Sequence, residues 1–145
     1  MRTLARISGA VALATAAAFV IVACGSSSSS PSSTSGSSPT TPTTPPTDAV
    51  TTNTVTIAGS VATPKNIRVA RGTQVTFVNS DNQQHNMTSN PHPEHSDCPE
   101  INAVGLMSIG QTKRTDNMVT NRAVCGFHDH DLPDVAGLQG SITIQ

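Results

Sequence analysis

The chain has 145 residues, a formal net charge of −1 and only 2% aromatic residues. No basic block is present, so the composition argues against a nucleic-acid partner. Beyond the N-terminal apolar segment the only aromatic residues are Phe77 and Phe127, so a core must be built mainly from Val, Ile, Leu and Met.

The first 23 residues have the pattern of an export signal. Two arginines precede an uncharged, Ala-rich apolar run, which Ile21-Val22-Ala23-Cys24 closes. This ending resembles the bacterial lipobox, in which the cysteine becomes the first mature residue and carries lipid. The run is shorter than the roughly 20 residues that a membrane-spanning helix needs. We therefore predict a lipoprotein signal peptide over 1–23, lipidation at Cys24, and a lipid anchor at the cell envelope, facing the periplasm or the cell surface.

Residues 24–48 are rich in Ser, Thr and Pro and contain almost no apolar side chains. Such a composition cannot bury a core, which predicts a disordered tether between the lipid and the folded part. The remaining 49–145 are enough for one domain.

Short segments with alternating or β-branched side chains predict strands throughout 49–145. These segments are Thr54–Ala58, Asn66–Ala70, Gln74–Val78, His85–Thr88, Gln111–Met118, Asn121–Val124 and Gly140–Gln145, with the fifth and sixth expected to pair. No stretch shows a long helical period with caps, so low helix content is expected. About seven short strands in one domain predict an all-β sandwich.

Two polar stretches interrupt this pattern and are predicted to be loops. Residues 90–99 contain three prolines and two histidines, and residues 129–137 contain Pro133. Loops held on a rigid sandwich are common positions for binding sites.

The pattern Cys125-x-x-His128 points to metal chemistry. Thiolate and imidazole ligands favour copper or zinc over magnesium or calcium. A Cys-x-x-His pair in a tight turn needs a further ligand from elsewhere in the fold, and His85, which follows a predicted strand, is the obvious candidate.

Together, His85-Asn86, Cys125-x-x-His128 and the closing segment Gly140–Ile144 resemble the cupredoxins of the plastocyanin, pseudoazurin and amicyanin type. The resemblance covers about 53–145 and implies a Greek-key β-sandwich. It also implies one type 1-like copper ion, bound by His85, Cys125 and His128. The implied function is one-electron transfer by a monomer that meets a redox partner protein, and no enzymatic activity.

The chain departs from the family pattern after His128. Leu138 stands where the family has its axial methionine, and the ligand loop is longer. The fourth copper ligand is therefore left open: Asp129, His130 or Asp131 can supply it from the longer loop, or the Leu138 position leaves the copper three-coordinate.

The segment with His92, His95 and Cys98 has no counterpart in the simplest family members. It is interpreted as a second metal site or as a cap over the first one. An envelope module for copper storage, delivery or resistance, which exchanges copper with a donor or acceptor protein, is therefore an alternative to the electron carrier.

The two cysteines of the domain leave a third interpretation open. Exported proteins occupy oxidising compartments, in which pairs of cysteines tend to form disulfides. A Cys98–Cys125 bridge would make the domain a metal-free sandwich with an ordinary covalent link, and the sequence does not decide between this bridge and a copper thiolate.

Overall fold

The computed structural model describes residues 38–145, which form ten β-strands and two short 3₁₀ helices. The strands are β1 (Val50–Thr51), β2 (Thr54–Ala58), β3 (Val61–Thr63), β4 (Asn66–Val69), β5 (Thr76–Asn79), β6 (His85–Ser89), β7 (Gly105–Met107), β8 (Thr112–Arg114), β9 (Val124–Asp129) and β10 (Gly140–Ile144); the 3₁₀ helices span Pro99–Ala103 and Ala136–Leu138.

The predicted signal peptide, Cys24 and the first part of the predicted tether lie outside the described residues. Within 38–145, no helix is both long enough and apolar enough to cross a membrane. The described end of the tether contacts the domain, because the Gly126 backbone N–H donates a hydrogen bond to Thr41 Oγ1 at 3.3 Å.

The strands form two sheets. One has six strands in the order β1-β4-β10-β9-β6-β7, and the other has four in the order β3-β2-β5-β8. The prediction of an all-β sandwich is confirmed. Ten strands replace the expected seven because β1, β3 and β7 have only two or three residues each, too few to produce a recognisable alternation in the sequence.

The core lies between the sheets and depends on strand alternation. In β2 and β5 every second side chain is buried, among them Ile57 and Phe77. Phe77 meets Phe127 of β9 edge to face, with ring centroids 5.3 Å apart, a favourable aromatic geometry. Leu138 belongs to the same core and is fully buried. The predicted axial position is thus occupied by a core side chain.

One predicted strand pair is wrong. The segment 111–118 contributes only β8, which pairs with β5 in the four-stranded sheet. The segment 121–124 contributes only the start of β9, which pairs with β10 and β6 in the other sheet. The chain between β8 and β9 therefore crosses from one sheet to the other, and the two strands it connects cannot be hairpin partners.

Candidate metal centre

The two ends of the Cys-x-x-His pattern lie on opposite faces of one strand. Both Cys125 and His128 fall inside β9, whereas the sequence predicted a turn between them. Cys125 is opposite Ile142 of the core, and His128 is opposite Thr88. Side chains alternate along a strand, so residues three apart point to opposite faces. These two side chains therefore cannot share one ion.

Cys125 forms a disulfide with Cys98, with a Cα–Cα distance of 5.7 Å. Both residues are fully buried in the hydrophobic core. The prediction of Cys125 as a thiolate ligand is therefore wrong for this structure, because the sulfur is already bonded. Of the two interpretations that the sequence left open for this cysteine pair, the bridge is the one present.

His85, the third predicted ligand, is held by two carboxylates. Its Nδ1 lies 2.7 Å from Asp129 Oδ2 and its Nε2 lies 3.2 Å from Asp81 Oδ2. Hydrogen bonds from the backbone N–H groups of Ser60 and Asn82 are the main reason why the pKa of Asp81 is lowered. Both ring nitrogens of His85 face carboxylate oxygens, and neither is available to a metal. This corrects the predicted ligand set.

Four other imidazoles form a cluster. His92, His95 and His128 each offer one nitrogen, and these three nitrogens lie within 4.8 Å of one another. His130 Nδ1 lies 3.2 Å from His95 Nε2, which places it beside the same group. We refer to these four residues as the imidazole cluster. The sequence left open whether His92 and His95 form a second metal site or cap the first one, and the structure brings them together with His128.

The loop 90–98 presents His92 and His95 to β9. It is closed at its base by a hydrogen bond from Asp97 N to Asn90 O at 2.8 Å. His95 adopts a φ of 52°, a left-handed conformation that is uncommon for residues other than glycine. The His95 carbonyl accepts a hydrogen bond from Asn102 Nδ2 at 2.9 Å, which helps to hold this backbone in place.

Asn90 orients His128. The Nδ1–H of His128 donates to Asn90 Oδ1 at 2.7 Å, which leaves Nε2 with its lone pair, whose only close partner among the described residues is the Thr88 hydroxyl at 3.5 Å. Metal-binding histidines usually donate their other N–H to such an oxygen. Gly126 makes room for this contact, because a Cβ there would meet the Asn90 amide, with the Asn90 Cγ only 2.9 Å away.

His92 carries a second sign of a ligand site. Its Nδ1 is buried and has no hydrogen-bond partner among the described residues. An unsatisfied buried polar atom is costly, and native proteins contain few of them. A metal ion at the cluster would give this nitrogen a partner.

Burial keeps two rings of the cluster, His128 and His95, in the neutral form. Burial, followed by the neighbouring imidazoles of His95, His92 and His130, lowers the pKa of His128 to about 4, and the Asp129 carboxylate offsets only part of this effect. Burial also lowers the pKa of His95. At neutral pH these two rings are therefore uncharged, which is the form that binds metals.

No protein-family profile and no curated protein matches the sequence. Among solved structures, the chain matches an oxidised amicyanin variant with 18% identity and a TM-score of 0.50, over 63% of this chain and 80% of that one. This likeness concerns the fold alone, and it confirms the prediction of a cupredoxin-like β-sandwich.

Two further matches have lower TM-scores. A purple cupredoxin from Nitrosopumilus maritimus is 16% identical over 65% of this chain and all of its own length, with a TM-score of 0.48. An oxidised plastocyanin from the fern Dryopteris crassirhizoma is 17% identical over 63% of this chain and 99% of its own, also with a TM-score of 0.48.

The residues do not fit the type 1 copper centre that the sequence resemblance implied. The Cys125 sulfur, which was expected to be a thiolate ligand, belongs to a disulfide. The His85 ring, which was expected to bind the ion, lies between two carboxylates. They fit instead a centre made of imidazoles alone. Two signals in the sequence could have indicated it: the spacing His128-x-His130, which allows both rings onto one side of a strand, and the position of Asn90 in front of the histidine-containing loop.

Proposed function

We propose that this protein binds one copper ion at the imidazole cluster and takes part in copper storage or delivery at the cell envelope. The observation that carries the proposal is the convergence of His92, His95 and His128 from two separate segments, with their nitrogens within 4.8 Å. The envelope location is part of the proposal and depends on the lipobox-like pattern at Cys24.

The donor chemistry favours copper. Imidazole nitrogens suit copper, zinc, nickel and iron, and among divalent ions the affinity of such a site rises to copper(II) and falls again at zinc. Around a four-coordinate ion with metal–nitrogen bonds of about 2.0–2.1 Å, neighbouring nitrogens are about 3.3 Å apart. The three nitrogens, now within 4.8 Å of one another, must approach to that spacing when an ion binds.

The surroundings of the cluster favour storage or delivery over electron transfer. An electron carrier of the predicted kind would use a Cys125 thiolate, which is engaged in the disulfide. His92, His95 and His130 are each only half-buried, so a copper donor or acceptor protein can approach them directly. The proposed role is ion binding and involves no reaction on a substrate.

A titration of the full-length protein with copper(II), followed by calorimetry and electron paramagnetic resonance, tests the proposal. We expect one ion per chain, hyperfine coupling to several imidazole nitrogens, and no intense thiolate-to-copper absorption band. His95→Gln should weaken binding, whereas Glu94→Gln, an exposed neighbour in the same loop, serves as the matched control. An intense thiolate band that disappears in Cys125→Ser would support the electron carrier instead, and a chain that binds no copper would refute both.

A further inference from the structure

We propose that the Cys98–Cys125 disulfide assembles the imidazole cluster, so that copper affinity depends on the oxidation state of these two cysteines. This inference rests on the proposed copper binding and adds a mechanism that controls the copper affinity of that site. It starts from the division of the cluster into two halves. One half, His92 and His95, lies on the loop 90–98, and the other half lies on β9 or directly after it.

The disulfide is a short covalent path between the two halves. Cys98 follows His95 by three residues, and Cys125 precedes His128 by three residues. Without the bridge, the chain connects the two cysteines only through a sequence separation of 27. Restricting a long loop in this way limits how far its ends can separate.

The noncovalent contacts between the loop and β9 are concentrated at the other end of the loop. There, Asn90 N donates to Gly126 O at 3.1 Å, and Asn90 Oδ1 accepts from His128. Near Cys98, Asp97 forms an ion pair with Arg122, whose side chain is 51% exposed, and accepts a hydrogen bond from Thr41 Oγ1, which in turn accepts one from Gly126 N of β9. Exposed ion pairs contribute little and are screened by salt.

Cys98 is also tied to β6, but this contact does not replace the bridge. Its backbone N–H donates to Ser89 Oγ at 2.8 Å, and Ser89 N donates to Asn102 Oδ1 at 2.9 Å. Ser89 is the register partner of Phe127 in β9, so these bonds connect Cys98 to β9 only indirectly, through β6. When the disulfide is absent, we expect the end that carries His95 to move relative to His128, which lowers the number of rings that reach one ion.

The redox step is ordinary thiol–disulfide exchange. A dithiol reductant gives two electrons and two protons to the bridge, the S–S bond breaks, Cys98 and Cys125 become thiols, and the reductant becomes a disulfide. The oxidised protein is the form that holds copper, and the reduced protein is the form that releases it. By linkage, bound copper favours the bridged form by the same factor.

The test compares copper(II) binding by the full-length wild-type chain and by Cys98→Ala/Cys125→Ala, which lacks the bridge and adds no thiol ligand. We expect affinity to fall about 10–100-fold, the usual loss when a partner that positions a metal ligand is removed. Paramagnetic resonance should also show fewer coupled nitrogens. Val55→Ala is the matched control, since it weakens the core in the other sheet and leaves the bridge intact.

The outcomes separate this inference from the proposed function. If the wild-type chain binds no copper, the proposed function fails and this inference falls with it. If the wild-type chain and the double variant bind copper equally, with the same resonance spectrum, only this inference is overturned. A second variant, Cys98→Ala/Cys125→Val, restores part of the lost core volume. If both double variants unfold, the inference is also overturned, because the bridge would then hold the fold and not the site.

Discussion

His85 and His128 are both fully buried, on neighbouring strands of one sheet, yet they have different surroundings. His85 lies on the core side, between the carboxylates of Asp129 and Asp81. His128 lies on the opposite face, among other imidazoles and the Asn90 side chain. Burial of an imidazole is therefore not enough to identify a metal ligand. The hydrogen-bond partners of its two ring nitrogens decide whether one lone pair remains for a metal.

The largest expected effect comes from replacing His128. Because His128→Gln removes the one fully buried ring of the cluster, we expect copper(II) affinity to fall by about 100-fold. Isothermal titration calorimetry measures this loss, and circular dichroism at the same temperature checks that the fold persists. An unchanged copper affinity in a folded variant would contradict the assignment of His128, and not His85, to the copper site.

The corresponding change at His85 should affect the fold instead of the metal. His85→Gln leaves the buried Asp129 Oδ2 without its 2.7 Å contact to the imidazole, which costs about 2 kcal/mol of unfolding free energy. Urea denaturation measures the cost. Copper stoichiometry, measured at a temperature where the variant remains folded, should stay at that of the wild-type chain, and a loss of copper binding would assign His85 to the site after all.

A smaller effect is expected from filling the space beside Asn90. Gly126→Ala places a methyl group against the Asn90 amide, which moves the oxygen that orients His128. We expect copper affinity to fall about tenfold, within the usual range for loss of such a partner. Asn90→Ala should produce a similar loss, and the double variant should be little worse than either single one, because both act through one hydrogen bond. Fully additive losses would argue against this coupling.

A further effect concerns the metal-free protein in mild acid. The unfolded chain protonates His128 near its ordinary pKa of 6.5, whereas the folded protein does so only near about 4. The unfolded state therefore binds more protons than the folded state between these two pKa values. The free energy of unfolding decreases for this reason as the pH falls from 6.5 to 4. Melting temperatures at several pH values should fall more steeply for the wild-type chain than for His128→Gln. Parallel curves would show that His128 does not titrate differently in the two states.

The strands that the sequence predicted well are those in which apolar and polar side chains alternate locally in the sequence. Thr54–Ala58 and Gly140–Ile144 appear as expected, because β-branched residues and a period of two are visible within a few positions. The stretch around Cys125 was mispredicted because the spacing Cys-x-x-His suits a turn as well as a strand. Only the pairing of β9 with both β10 and β6 shows that it is extended.

The sequence by itself determined the all-β class, the histidine-containing loop 90–99 and the set of sulfur and nitrogen donors from which any metal site must be built. The tertiary structure decided which donors meet. The register of β9 turns Cys125 toward the core, where Cys98 reaches it, and turns His128 toward the loop. A shift of one residue along a strand exchanges its two faces, and that register is set by distant partners in the sheet.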